Sequence, residues 1–260
     1  MVNKSINTLN LIELKNFLDL KVTEFNTSNY IADDPISIVH QFTKKEDIEI
    51  IGFLVATIAW GNRRSIITSA KKLVAIMGND PHEYILNYTS KKLTDISFVH
   101  RTFNTIDLDF FFRALQNIYE NEGLEQAFTP HPTVFGTSGR IIQFRKRFLE
   151  TPHETRSEKH LSNPEKGSAA KRIQMYLRWM IRKDANKVDF GIWNSIPTNE
   201  LSIPLDVHTA NISRKLGLIT RTQTDGKALE ELMEHLRSFD PIDPAKYDYA
   251  LFGLGAIEKF

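Results

Sequence analysis

The chain has 260 residues, of which 41% are hydrophobic and 25% charged, with a net charge of +1 and no cysteine. That length can bury one full core or two small ones, and the missing thiols exclude disulfides, thiolate zinc sites, cysteine-ligated iron–sulfur clusters and cysteine nucleophiles. The segment Met1 to Asn7 has no apolar signal core, and no apolar run reaches the ~18 residues that span a bilayer. A reducing, cytoplasmic setting and no membrane partner are therefore expected.

Apolar residues recur at three and four, with almost no alternation at two, which predicts helices throughout. Leu9 to Phe25 reads as an amphipathic helix, and Asn29 to Gln41 as a connection around Asp34-Pro35. Lys45 to Trp60 is apolar on nearly all sides, as a buried central helix requires, and Gly61 ends it. Arg63 to Met77 carries one apolar face and stops at Gly78. Asp80-Pro81 has the residues of a helix start, and Asp107 reads as another, leading into Phe110, Phe111 and Leu115. Leu124 to Phe128 is a short piece, and Ser138 to Leu149 is amphipathic. Thr151 to Lys166 has one aliphatic residue, Leu161, and reads as an exposed loop. Further helices are expected over Ser168 to Lys183, Asp206 to Leu216, Asp225 to Phe239 and Asp243 to about Ile257, with a short apolar turn at Asp189 to Trp193. The pattern is all-α, with roughly ten helices, no sheet and no internal repeat.

Charge is unevenly distributed. Arg140 to Lys187 holds 13 Lys/Arg and 5 Asp/Glu, a local +8 that leaves −7 for the rest. Such a stretch suits a polyanion, or is a solvated helical surface. Within it, Gly167-Ser168-Ala169-Ala170 precedes Lys171-Arg172. Small residues before a helix leave its first N–H groups open to an anion, or admit a neighbouring helix. Lys171 falls in the first turn, where the helix dipole disfavours a charged amine, so it is a candidate Schiff-base nucleophile. Asp206 follows Pro204 at a second helix start. It is an ordinary N-cap or the lysine's partner, with His208 and Arg214 in support. Trp60, Asn62, Arg63 and Arg64 form a further group after the central helix, suited to a phosphate or an emptied base stack, or simply a capped turn. Trp179 and Trp193 are either core or a stacking surface for an extruded base. The histidines show no metal-ligand spacing, and no metal or other cofactor is expected.

The stretch Leu205-Asp206-Val207-His208-Thr209, then Ser213-Arg214-Lys215-Leu216-Gly217-Leu218, resembles the catalytic-aspartate segment of the helix-hairpin-helix DNA glycosylases, the endonuclease III superfamily. Gly167 to Lys171 is similar to the second half of that family's hairpin and puts Lys171 on its nucleophile position. Ala169 stands where a second hairpin glycine is usual. The 35-residue step from Lys171 to Asp206 is more like that of archaeal 8-oxoguanine glycosylases of the same fold. Leu54 to Asn62 resembles the buried helix and break from which such enzymes insert a polar residue into the duplex. The chain as a whole also looks like a bacterial family of unknown function.

The resemblance implies a two-lobed helical fold with a cleft, residues 45–190 in one lobe and 1–44 with 191–260 in the other, and Lys171 and Asp206 on opposite walls. It implies a base-excision glycosylase, possessing or lacking AP-lyase activity, acting on double-stranded DNA that carries a damaged, oxidised base. Asn62, Arg63, Arg64, Gly167, Ser168 and Arg172 would touch the DNA, and Trp60, His208 and Arg214 would support the site. No iron–sulfur cluster is implied, because the cysteines are missing. The alternatives are a non-catalytic DNA-binding helical protein and a helical protein-interaction module.

Overall fold

The computed structural model describes residues 10–90, 96–129 and 136–260. In chain order its first helices are α1 (Leu11–Phe25), α2 (Asn29–Asp33), α3 (Ile36–Val39), α4 (Lys45–Thr57), α5 (Arg63–Met77) and α6 (Pro81–Leu86). Strands β1 (Val99–His100) and β2 (Phe103–Asn104) follow, then α7 (Thr105–Asn121), α8 (Leu124–Ala127) and α9 (Thr137–Phe148). The last set is α10 (Lys171–Ile181), α11 (Val207–Lys215), α12 (Gly226–Phe239) and α13 (Tyr247–Phe252). Among the described residues the protein is therefore all-α apart from one short ribbon, as the three-and-four periodicity dictates.

Two compact units divide the chain: a central unit, Ile31–Asn163, and a terminal unit joining Met1–Tyr30 to Pro164–Phe260. The sequence placed the boundaries at 44/45 and 190/191; the contacts place them at 30/31 and 163/164. The reason lies in α10. Its Arg178 is bonded to Asp248 of α13, and its Trp179 and Met180 carbonyls accept from Phe190 and Trp193, so the helix belongs with the C-terminal elements.

In the central unit α4 is buried along nearly its whole length, as expected of a helix apolar on all sides. Its Phe53 lies 5.9 Å from Phe111 of α7 and 5.4 Å from Phe144 of α9. Phe128 stacks on Phe144 at 3.9 Å between ring centres. α7 starts at Thr105 rather than at Asp107. Asn104 is the cap, and Asp107, three residues on, accepts from the Asn104 N–H to close a capping box. The β1–β2 ribbon pairs Val99 with Asn104 and His100 with Phe103, and its turn holds Arg101 at φ 56°. Strands of two residues leave no period in the sequence, which is why no sheet was expected.

Residues 151–166 are only in part the expected exposed loop. Thr155–His160 forms a 3₁₀ helix in which Ser157 and His160 are buried, and Leu161 is buried after it. Ser157 Oγ donates to Asp107 Oδ1 at 2.6 Å, and Arg156 reaches the same oxygen at 2.9 Å. A polar segment can be buried where a carboxylate satisfies its donors, and Asp107 does that here.

In the terminal unit α1 packs on α13 and on the π-helical turn Gly253–Ile257 that continues it. A Cβ on Gly253 would stand 2.2 Å from the Phe25 ring, so the close approach requires glycine there. The expected single helix from Asp243 to Ile257 is three pieces: a 3₁₀ turn Pro244–Lys246, then α13, then the π turn. Asp243 does not cap it with its side chain; its carboxylate binds Arg182 at 3.0 Å. Among the described residues no helix is long and apolar enough to cross a membrane.

Candidate active site

The lysine helix starts later than the sequence suggested. Ala170 sits in the left-handed region at φ 50°, ψ 36°, so the helix cannot include it, and Lys171 is the first helical residue. Residues 164–166 form only a single 3₁₀ turn before it, so the expected hairpin is not built from two α-helices. The aspartate reads as it did in the sequence. Asp206 is the N-cap of α11, and its Oδ1 accepts from the Thr209 N–H at 2.8 Å.

These two helix starts meet. Lys171 Nζ lies 3.4 Å from Asp206 Oδ2, the oxygen not used for capping. The Lys171 side chain is 40% exposed and that of Asp206 13%, so solvent reaches the amine while the carboxylate is largely shielded. The sequence reading set the two on opposite walls of a cleft; both belong to the terminal unit. Chemically, the two groups form an ion pair between an exposed ammonium and a capping carboxylate.

Beside the pair lies a buried charge network. Arg178, on α10, binds Asp248 of α13 and puts its Nε 3.2 Å from Asp189. Arg182 binds Asp189 at 3.1 Å and Asp243 at 3.0 Å. The Arg178 guanidinium also covers the Tyr249 ring at 4.5 Å. Burial pushes the Asp248 carboxyl up to about 7; Arg178 opposes the rise, the charges of Asp206 and Asp189 add to it, and Lys171 opposes it.

The other expected residues divide. Ser168 Oγ accepts from the Ala170 N–H at 3.1 Å, so one loop amide already has a partner. The Gly167 carbonyl accepts from the Gly226 N–H at 2.8 Å, and a Cβ on Gly226 would meet that carbonyl at 3.4 Å. The small loop thus admits the start of α12, which was the alternative to anion binding. Arg172 is half-buried, and burial pushes its guanidinium down to about 10. His208 is exposed, and with Asn211, Arg214 and Lys215 it lines an open depression of about 480 Å³. Arg214 is committed to structure: it donates to the Arg221 and Thr222 carbonyls at 2.8 and 2.9 Å. Trp179 and Trp193 are core residues, not stacking platforms.

Trp60, Asn62, Arg63 and Arg64 lie in the central unit. Asn62 caps α5, accepting from the Arg64 and Ser65 N–H groups at 2.8 and 3.3 Å. Trp60 packs edge-on to His100 at 5.0 Å and over His160 at 5.9 Å, and His100 bridges its carbonyl to Ser69 Oγ. Arg63 and Arg64 are exposed, and Asn62, Arg64, Ser65, Thr68 and Ser69 line an open depression of about 490 Å³. The turn is a capped one that leaves its arginines facing solvent.

Residues 34–257 match the family described as "Protein of unknown function (DUF2400)". The chain belongs to that family. No curated protein and no solved structure gives a significant match. The matched span includes the Trp60 group, the Lys171–Asp206 pair and Asp248, and leaves out α1.

Two features were missed from sequence. The basic stretch is much less of a free face than its charge implied. Arg140, Arg178 and Arg182 are buried, and Arg145, Arg147 and Arg156 are paired with Glu158, Glu122 and Asp107. Most of those acids come from outside the stretch. Asp248 was also missed: Tyr247-Asp248-Tyr249 sits in the last helix with nothing local to separate a buried acid from a surface one. Among the described residues no group of three or more His, Cys, Asp or Glu has the arrangement to hold a metal ion.

Proposed function

We propose that this protein is a DNA base-excision glycosylase working through Lys171 and Asp206, with double-stranded DNA carrying a damaged base as its substrate. The observation that carries the reading is the 3.4 Å approach of a solvent-reached amine to a shielded carboxylate, from two helix starts 35 residues apart. The resemblance to the endonuclease III superfamily supplies the reaction. The damaged nucleotide is turned out of the stack. Asp206 takes a proton from the Lys171 ammonium, and the free amine attacks C1′ of the sugar. The glycosidic C–N bond breaks, its electron pair leaves with the base, and the base gains a proton. Asp206, ionised again once it passes its proton on, faces the positive charge that develops on the sugar. A proton passes from the new C–N nitrogen to the ring oxygen, the C1′–O4′ bond breaks, and the nitrogen lone pair forms the Schiff base on Lys171. Loss of the C2′ proton then expels the 3′ phosphate, or water releases the sugar. Of the expected duplex contacts, Arg63 and Arg64 are exposed and would meet phosphates, which makes the affinity fall with salt.

The test is borohydride trapping with duplexes carrying an abasic site or 8-oxoguanine, together with base release across a panel of lesions. A covalent adduct that Lys171→Ala abolishes is expected. Absence of both adduct and base release in the wild type would overturn the reading. A second reading, a non-catalytic DNA-binding protein, is favoured by the capping role of Asp206, which alone accounts for an aspartate there. It predicts salt-sensitive duplex binding with no adduct.

A further inference from the structure

We propose that Ser69 is a nucleophile activated by His100, at a second site, within the central unit, that takes esters bearing a negative charge. The inference goes beyond the glycosylase reading and stands without it, since both residues lie in the central unit and neither belongs to the Lys171–Asp206 pair.

α5 carries three hydroxyls, and two of them bond back to their own helix start. Ser65 Oγ donates to the Asn62 carbonyl at 2.8 Å, and Thr68 Oγ1 donates to the Arg64 carbonyl at 2.9 Å. The Ser65 carbonyl stands four residues before Ser69 in the same way, yet Ser69 Oγ is bonded to His100 Nδ1 at 2.9 Å. A hydroxyl that needed only a partner had one on its own helix.

The other ring nitrogen fixes the direction of that bond. His100 Nε2 lies 3.1 Å from the Trp60 carbonyl, which can only accept, so Nε2 carries the proton. In the neutral ring Nδ1 is then an acceptor, and the Ser69 hydroxyl donates to it. Burial holds the ring neutral and moves it below the ordinary histidine range; the Trp60 and Ile58 carbonyls oppose the shift, and the charge of Arg101, next in the ribbon, adds to it. His100 is held in β1, and the Trp60 ring packs edge-on to it at 5.0 Å. When Nδ1 takes the Ser69 proton, the Trp60 carbonyl keeps Nε2–H and steadies the imidazolium, as the carboxylate does in a Ser-His-Asp triad.

Ser69 is largely buried, but with Asn62, Arg64, Ser65 and Thr68 it lines the open depression of about 490 Å³. None of those residues is acidic. The helix cap uses the Asn62 oxygen, so that amide has its NH2 to offer, and Arg64 has its guanidinium. Donors of this kind suit an anionic substrate group and the oxyanion that acyl transfer develops. Ser69 Oγ bonds to the acyl carbon as its proton passes to His100 Nδ1, and the carbonyl electron pair moves onto oxygen. That pair returns as the ester C–O bond breaks, and the alcohol leaves with the proton from Nδ1. Water repeats the exchange, freeing the acid and Ser69.

The test treats the whole protein with a fluorophosphonate probe and maps the adduct by mass spectrometry, with p-nitrophenyl acetate and the p-nitrophenyl half-ester of succinate as substrates. The probe should sit on Ser69, and His100→Asn should slow its incorporation on the order of 10²–10⁴-fold. The half-ester should be cleaved several-fold faster than the acetate, and Ser69→Ala should cleave neither above background. No adduct on Ser69, or one formed in His100→Asn at the wild-type rate, would overturn the proposal. Equal rates with the two esters would overturn the charge requirement. If His100→Asn fails to fold, the wild-type pH profile decides. Incorporation that is lost only below the ordinary histidine value of about 6.5 supports His100 as the base, and a profile flat between about pH 4.5 and 8 overturns it.

Discussion

Asp206 and Asp225 begin successive α-helices of the same unit and do the same local work. Each accepts the backbone N–H three residues on, from Thr209 at 2.8 Å and from Ala228 at 3.1 Å. Each also faces a cation, and there they part. Arg221 grips Asp225 with two bonds, 2.7 Å to Oδ1 and 2.6 Å to Oδ2, and that fork pulls the carboxyl down to about 2. Lys171 offers Asp206 one contact at 3.4 Å, to the oxygen the cap leaves over. A guanidinium keeps its proton and here occupies both oxygens; an ammonium has a proton to give. The same cap with the same charge is clamped by a forked cation in one place and faces a single ammonium in the other. A cap motif does not mark a site; the chemistry of its partner does.

The largest effects test that difference directly. Lys171→Ala should abolish borohydride trapping, and Asp206→Asn should slow base release by on the order of 10²–10⁴-fold. Arg221→Ala and Asp225→Asn should leave both assays at wild-type rates. Equal losses in the two sets would break the comparison. Next in size is Arg178→Ala, which removes the cation paired with buried Asp248 and leaves Asp189 to Arg182 alone. It should cost about 3–5 kcal/mol in urea unfolding.

The pH dependence separates the acids by sign. Asp225 has a folded value lowered to about 2, so its contribution to stability is full above its unfolded value of about 4 and is lost as pH falls towards 2. Asp248 has a folded value raised to about 7, so its contribution is full below about 4 and is lost as pH rises through 7. Thermal melts across that range should show Asp248→Asn removing the alkaline loss and Asp225→Asn removing the acid one. Opposite assignments would contradict the electrostatics described. The smallest effect expected is Asp206→Ala on stability, about 0.5–2 kcal/mol for a lost cap, measured by thermal melting.

The residues of the pair were legible in sequence because helix starts are local signals. A proline two residues before an aspartate, or a run of small residues before a lysine, needs no tertiary knowledge. The helices were legible for the same reason, down to the buried character of Lys45–Thr57. The charge network was not. Arg178, Asp189 and Asp248 come from three separated segments, and a charge inside an amphipathic pattern reads as surface until its partner is known. The basic stretch misled for that reason too: Glu122, Asp107 and Asp243, which neutralise part of it, are distant in sequence. Residues 151–166 look like solvent-exposed chain because polar residues usually are, and only the satisfied donors around Asp107 reverse that. The ribbon at Val99–Asn104 was too short to show a period.

The central claim is that Lys171 is the nucleophile and that its proton goes to Asp206. Peptide mapping of the borohydride-reduced complex with an abasic-site duplex tests it most directly. The account predicts the sugar remnant on the Lys171 Nζ, lost in Lys171→Ala and much reduced in Asp206→Asn. An adduct on any other amine, or one formed at full rate without Asp206, would contradict it.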